Sequence, residues 1–186
     1  QNPKKGWQNC NVYSWLKDRV CKDIILTTDV TLPALGSIKK YNLKDKFFSY
    51  ITVGTGIGGC NVFKGTVLQN EMHSELGHSF LGHSKDSCCE YHNHCFEGQA
   101  SGNYFSNKYK LQFKDINPDH AGWADLISKL VRLIYNVFTI LGVDCVLVGG
   151  GVIRKYMKPW IIDGVLKINN SYLPLLNKTD TDKRII

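Results

Sequence analysis

Two short apolar runs that each lead directly into glycines constrain the fold of this chain most strongly. Residues 47–53 precede a glycine-rich stretch at 54–59, and residues 143–148 precede three consecutive glycines at 149–151. Apolar runs of this length that end at glycines are typical of buried strands followed by turns. The second turn leads into a helical pattern toward Trp160. This alternation of strand, turn and helix predicts an α/β fold.

The other predicted elements fit this architecture. Helices are predicted over residues 12–20, from Pro33 to Ile38, weakly over 96–105, and from the start signal at Asn117 to Leu141. The last has apolar residues at three- and four-residue steps, and a glycine ends it. A buried strand is predicted over residues 23–27, and a hairpin over 60–63 and 66–68. Residues 73–95 have no periodicity and are interpreted as a loop.

Composition and charge narrow the class of protein. The net charge of +7 comes mostly from dispersed lysines, so nucleic-acid binding is not expected. Residues 1–10 are polar, so no signal peptide is expected there. The most apolar stretch, 133–153, is interrupted by Asn136, Asp144 and the three glycines, so no membrane span is expected. Seven cysteines are an odd number, which argues against a complete disulfide framework and favours a reducing compartment, the cytoplasm.

Strands that end in glycines can present free backbone N–H groups to a phosphate, because a Cβ would block the approach. The residues concerned are Gly54, Thr55, Gly56, Gly58 and Gly59 in the first stretch and Gly149, Gly150 and Gly151 in the second, where a nucleotide base or ribose could lie. The first stretch matches neither the nucleoside-triphosphate P-loop nor the dinucleotide fingerprint. A purely structural role as tight turns is the alternative for both.

Asp29 lies just beyond the strand predicted over residues 23–27. A carboxylate at such a strand end can act as a general base toward a substrate hydroxyl. The alternative is that Asp29 caps the following helix, and the local sequence alone favours the cap.

The loop at 73–95 contains the pattern Cys-x-x-His-x-x-Cys, formed by Cys89, His92 and Cys95, with His78 upstream. Two cysteines and two histidines make a closed tetrahedral set, which is typical of structural zinc. The competing ligands are Cys88, His94, His73 and His83. A chance cluster of reduced cysteines and surface histidines is the alternative to a metal site.

Two glutamates, Glu75 and Glu97, flank this loop. If zinc folds the loop, both carboxylates come near its base, where they could accept hydrogen bonds from sugar hydroxyls. The alternative is that both are ordinary solvated acids.

The order of these motifs resembles the ROK family of sugar kinases and repressors. The similar segments are residues 50–59, 75–78, the Cys/His loop, 95–102 and 148–152, so the resemblance covers nearly the whole chain. Within the family, the sequence Thr28-Asp29-Val30, residues 73–78, the Cys-x-x-His-x-x-Cys spacing and residues 2–7 are similar to bacterial-type, zinc-containing fructokinases.

The resemblance implies an actin-like, ribonuclease H-like ATPase fold. These residues would form its C-terminal lobe plus part of the interlobe region, with a zinc-stabilised loop. It also implies phosphoryl transfer from ATP, with Mg²⁺, to the 6-hydroxyl of a hexose. D-Fructose is the expected hexose, although the sequence does not separate it from mannose. Dimers are common in the family, so a homodimer is a further expected partner.

The implied roles fall on the motif residues. Asp29 would be the catalytic base, Glu75, His78 and Glu97 would contact the sugar, and zinc would be held by His78, Cys89, His92 and Cys95. The glycines of 54–59 would cradle the ATP phosphates, and those of 149–151 would lie near adenosine.

Some positions depart from the family pattern. Thr31 and Ser37 stand where most relatives have Asn and Glu, and Cys60 replaces a usual glycine. The family's N-terminal ATP lobe, with its Asp-x-Gly-Gly-Thr motif, is not among residues 1–186, and the chain begins with Gln1, so it is expected to be part of a longer product. These departures favour, as an alternative, a catalytically impaired or non-enzymatic sugar-binding or sugar-sensing protein.

Overall fold

The computed structural model describes residue 6 and residues 9–20, 22–69, 71–111 and 115–186. Residues 2–7, which are similar to fructokinases in sequence, lie outside this part except for Gly6, and so does Cys21. The helices are α1 (Val12–Lys17), α2 (Thr31–Lys40), α3 (Glu97–Ala100), α4 (Gly102–Tyr109), α5 (Gly122–Leu141), α6 (Lys158–Asn169) and α7 (Thr181–Arg184). The strands are β1 (Phe47–Val53), β2 (Ile57–Phe63), β3 (Thr66–Val67) and β4 (Cys145–Gly149).

The four strands of the described residues form one mixed sheet in the order β3-β2-β1-β4. β1 pairs with β2 in antiparallel register, so that Val53 lies opposite Ile57 across the first glycine turn. β1 pairs with β4 in parallel, with Thr52 beside Gly149. Because parallel neighbours end at the same edge, the turn after β1 and the turn after β4 lie side by side.

Helices cover both faces of the sheet, and the alternation of side chains along β1 decides which residues each face buries. Ile51 and Val53 join the larger core beneath α5 and α6. Phe48 and the partly buried Tyr50 pack in the smaller core beneath α2. The mixed α/β architecture expected from the sequence is therefore confirmed.

The long amphipathic helix predicted to end at Leu141 is α5. Its buried face supplies much of the larger core, and Leu126, Leu130 and Ile134 are fully buried. Gly142 ends the helix in the left-handed conformation, with φ of +65°, and its N–H donates to the Phe138 carbonyl at 3.1 Å. No helix in the described ranges has the length and apolar character needed to cross a membrane.

A partly buried polar cluster joins α4 to α5. The Tyr104 hydroxyl donates to Asp125 Oδ2 at 2.8 Å and accepts from Lys108 and Lys129, each at 2.8 Å. Burial is the main reason that the pKa of Tyr104 rises to about 12. The cluster holds α4, which follows the Cys/His loop, against α5.

The buried strand predicted over residues 23–27 is wrong. These residues form no strand, and the side chains of Ile25 and Leu26 are 88% and 56% exposed. A strand needs a neighbour to pair its backbone groups, and the register of the described sheet leaves this segment outside it.

Several other elements differ in their bounds from the predictions; α5, for example, begins at Gly122 and not at Asn117, and α1 ends at Lys17. β2 starts at Ile57, inside the glycine-rich stretch, so the hairpin strand predicted from residue 60 is longer than expected. After the glycines at 149–151, a short 3-10 helix (Lys155–Met157) comes before α6. The predicted loop at 73–95 contains one further 3-10 helix, Leu76–His78.

Candidate functional site

The structure brings together the four side chains predicted to hold zinc. The ligand atoms of His78, Cys89, His92 and Cys95 all lie within 4.8 Å of one another. Cys89 Sγ is 3.4 Å from His92 Nδ1 and 3.9 Å from His78 Nδ1. Tetrahedral zinc, with Zn–S of about 2.3 Å and Zn–N of about 2.0 Å, places a sulfur and a nitrogen ligand about 3.5 Å apart. The geometry of the cluster therefore fits zinc.

Backbone pairing at the base of the loop explains why His78 and Cys95 meet. Phe80 forms a β-bridge with Cys95, and the Leu81 N–H donates to the His94 carbonyl at 2.7 Å. This pairing closes the loop directly beyond the 3-10 helix that ends at His78 and directly before α3. Two ligands that are distant in sequence thus become neighbours.

The chemistry of the buried ligand also suits a cation. Burial is the main reason that the pKa of the Cys95 thiol rises to about 11, and the neighbouring Cys89 and Glu97 add to it. The Gly98 N–H, which donates to Cys95 Sγ at 3.3 Å, acts in the opposite direction. A bound metal cation would supply the charge needed to keep this thiol as a thiolate.

The competing ligands have other neighbours. Cys88 Sγ lies 3.9 Å from Ser101 Oγ. His83 Nδ1 is 2.8 Å from Asn93 Oδ1, and His73 pairs with Glu75 at 2.7 Å. His94 stacks on His92 with ring centroids 4.8 Å apart. The structure therefore favours Cys89 over Cys88 and His92 over His94.

Glu97 lies between the Cys/His cluster and the first glycine turn. Its Oε2 accepts the Ile57 N–H at 2.8 Å, and its Oε1 is 3.5 Å from His78 Nε2. A Cβ on Gly56 would overlap this carboxylate, so a side chain there would displace Glu97 from its present position. Glu75, in contrast, is 54% exposed and pairs with His73 at the surface.

Asp29 precedes α2 and is exposed. The expectation from local sequence that it caps this helix is wrong, because Thr28 Oγ1 accepts the Thr31 N–H at 3.0 Å and takes that role. The next residue, Val30, packs so closely on Gly58 that a Cβ there would lie 2.6 Å from its methyl group. Asp29 is thereby held beside the start of β2, near the first glycine turn.

The glycines of 54–59 divide into two groups. Gly54, Thr55 and Gly56 form the turn between β1 and β2. Gly58 and Gly59 lie within β2, where the missing side chains make room for Val30 and Leu76 respectively. Only the first group is therefore free of a strand-packing role, a distinction that the sequence did not make.

The second glycine turn borders a cavity of about 450 Å³. Gly150 has φ of +100° and packs against the backbone of Val53, so a side chain is excluded there. Apolar residues, among them Ile153 and Ile161, line the cavity, and Arg154, Lys155 and Lys158 also border it. These three basic residues were missed at the sequence level, although their position directly after 149–151 was a usable signal.

Comparison with known proteins agrees with this architecture. The sequence profile of the ROK family matches residues 1–173. The chain is 31% identical over 179 residues to the fructokinase of Lactococcus lactis subsp. cremoris, covering 93% of this chain and 61% of that protein. It is 29% identical over 176 residues to the fructokinase of Pediococcus pentosaceus, covering 91% of this chain and 61% of that protein.

Solved structures show the same fold. The ROK hexokinase from Thermus thermophilus superposes with a TM-score of 0.66 at 21% identity, over 90% of this chain and 63% of that one. A ROK family glucokinase from Streptomyces griseus, solved in complex with glucose and AMPPNP, has a TM-score of 0.58 at 18% identity, over 86% of this chain and 62% of that one.

The chain belongs to the ROK family. Its fold is that of the actin-like ATPases, as the sequence predicted. The chain spans about 61% of the length of the two fructokinases named above.

Proposed function

We propose that this protein phosphorylates a hexose at the expense of ATP, and that the hexose is D-fructose. Family membership and the fructokinases among its relatives support the reaction class and the sugar. The observation that carries the proposal is the position of Glu97, which lies between the Cys/His cluster and the turn at 54–56. A candidate sugar-binding carboxylate and a candidate phosphate-binding turn are thereby in direct contact.

The sugar would be oriented by Glu75, His78 and Glu97. His78 turns its Nδ1 toward Cys89 and its Nε2 toward Glu97. If zinc binds Nδ1, the neutral ring carries its proton on Nε2 and can donate to Glu97 or to a sugar hydroxyl. Zinc would serve here as a structural ion that orders the loop.

The nucleotide would lie along the edge where β1 and β4 end. Backbone N–H groups of the turn at 54–56 would meet the phosphates, and Mg²⁺ bound with ATP would neutralise their charge. Adenosine would lie near Gly149, Gly150 and Gly151, where the cavity has apolar walls and the basic residues Arg154, Lys155 and Lys158 lie beside it.

Asp29 would be the general base. It would accept the proton of the sugar hydroxyl as that oxygen bonds to the γ-phosphorus and the bond from phosphorus to the ADP oxygen breaks. Its exposure and its position beside the start of β2 leave it accessible to a sugar.

Turnover and sugar binding separate this proposal from the alternative of a sugar-binding or sensing protein. The alternative gains support from Thr31 and Ser37, which depart from the family pattern in the helix that follows Asp29. The test is ADP release by the full-length protein with fructose, mannose and glucose, together with sugar affinity by calorimetry. Sugar binding without turnover would favour the alternative.

The Asp29→Asn variant tests the assigned base. We expect it to keep its sugar affinity and to lose turnover roughly a hundredfold or more. Asp45→Asn is the matched control, because Asp45 is also exposed but lies just before β1, at the opposite end of the strand from the glycine turn. Equal turnover in both variants would remove Asp29 from the mechanism.

A further inference from the structure

Glu97 contacts the first glycine turn and the Cys/His cluster at the same time. It is the first residue of α3, two positions after Cys95, and its carboxylate is 28% exposed. One oxygen accepts the Ile57 N–H at 2.8 Å, and the other is 3.5 Å from His78 Nε2. Sugar binding alone would not explain the hydrogen bond between Glu97 and the Ile57 N–H.

We propose that Glu97 is a positioning residue for the nucleotide site, through which the Cys/His cluster controls the shape of the turn at 54–56. This inference rests on the proposed kinase function, and it adds a dependence of nucleotide affinity on the metal cluster. Glu97 acts here through the backbone of the turn and does not itself contact the nucleotide.

The packing around the turn supports a single rigid unit. Gly77 lies so close to the Ile57 carbonyl that a side chain there is excluded. On the other side, the Gly102 N–H donates to the Gly54 carbonyl at 2.8 Å, and the Asn103 N–H to the Thr55 carbonyl at 3.3 Å. The segments on either side of the Cys/His loop therefore hold the turn from two directions.

The sign of the Glu97 charge strengthens the argument. A carboxylate beside a phosphate-binding turn repels phosphate, so its presence needs a compensating benefit. A hydrogen bond to an ionised acceptor is stronger than one between neutral groups, and it orients the Ile57 amide at the start of β2. The benefit is a turn that is ordered before the nucleotide binds, which lowers the entropy cost of binding.

Variants at three glutamate positions distinguish the positioning role of Glu97 from a general effect of removing a carboxylate. The Kd of Mg-ATP is measured by calorimetry on the full-length protein for Glu97→Ala, Glu97→Gln, Glu75→Ala and Glu90→Ala. Glu97→Ala should weaken nucleotide binding by about tenfold. Glu97→Gln should bind the nucleotide within about twofold of wild type, because the amide oxygen still accepts the Ile57 N–H. The Glu75 and Glu90 variants should match wild type, since both side chains are exposed and, among the described residues, neither accepts a hydrogen bond from the turn.

Sugar affinity gives the contrasting readout. Both Glu97 variants and Glu75→Ala should bind the hexose more weakly, whereas Glu90→Ala should not. Wild-type nucleotide affinity in Glu97→Ala would overturn the inference and leave the kinase proposal standing. Absence of nucleotide binding by the wild-type protein would overturn the kinase proposal itself.

Metal removal provides a test that does not depend on how Glu97→Ala folds. In the wild-type protein, hydrogen exchange of the Ile57 amide should speed up when zinc is chelated, and Mg-ATP affinity should fall. In Glu97→Ala, chelation should cause little further loss of Mg-ATP affinity. The variant already lacks the contact through which the metal would act, and the effects of two changes to one interaction are not additive. Unchanged exchange at residues 54–58 after complete zinc removal would contradict the inference.

Discussion

Replacing Cys95 by serine tests the metal cluster most directly. Cys95 is completely buried, and its sulfur is one of the four converging ligand atoms. Serine occupies the same space but is a poor zinc ligand, so the closed four-ligand set loses a member. The wild-type protein should contain about one zinc ion per chain, and Cys95→Ser should contain little.

The spacing of the four ligand atoms indicates how strongly zinc binding should stabilise the folded protein. Ligand atoms within 4.8 Å of one another must contract to about 3.5 Å around zinc, which needs only small side-chain movements. Most of the binding free energy is therefore available as folding free energy. With free zinc at a hundred times its Kd, the ion stabilises the folded protein by about 2.7 kcal/mol.

Denaturant unfolding with and without a strong chelator measures this difference. Chelation should lower the free energy of unfolding of the wild type by about 3 kcal/mol and that of Cys95→Ser by much less. Cys60→Ser is the matched control, because Cys60 is also buried but lies in β2, outside the cluster. It should respond to chelation as the wild type does.

Metal analysis of two further variants tests which ligands hold the ion. Cys88→Ser and His94→Ala should both retain zinc, because the structure points Cys88 toward Ser101 and stacks His94 on His92. A wild-type protein free of zinc would refute the reasoning, and so would loss of zinc in Cys88→Ser with retention in Cys95→Ser.

Three further predictions concern stability. Gly77→Ala should lower the free energy of unfolding by roughly 2 kcal/mol, because its Cβ would overlap the Ile57 carbonyl; Gly36→Ala, where a Cβ meets nothing, should raise it by about 0.5–1 kcal/mol. Tyr104→Phe should cost roughly 1–3 kcal/mol in the same denaturant assay, because it removes the hydroxyl at the centre of the partly buried polar cluster. Burial raises the pKa of Cys145 to about 11 from a usual 9.0, so its contribution to stability is present below pH 9 and is lost as the pH rises toward 11. Across that range the free energy of unfolding should fall by about 2–3 kcal/mol more in the wild type than in Cys145→Ala, and an equal slope in both proteins would contradict this assignment.

The elements that the sequence predicted well are those with a local cause. The bounds of β1 match the predicted strand, and α5 ends at the predicted glycine. Alternating apolar residues and a glycine terminator act within a few residues, so their pattern is visible without knowledge of the fold.

The failures have a common origin in contacts between distant segments. Residues 23–27 have the apolar composition of a strand, but strand formation depends on a neighbour that composition does not reveal. Thr28, and not Asp29, caps α2. Which of the two side chains does so depends on the path of the chain into the helix.

The sequence by itself determined the family, the α/β class and the set of residues from which a metal site could be built, because these depend on residue types and their order. Only the tertiary structure decided that Cys89 and His92 join His78 in one cluster, while Cys88 lies beside Ser101 and His94 stacks on His92. It also placed Glu97 on the Ile57 amide and left Glu75 at the surface, although the two glutamates look equivalent in sequence. The physical reason is that hydrogen bonds and metal ligation act over about 3 Å, and only the folded chain brings distant residues that close together.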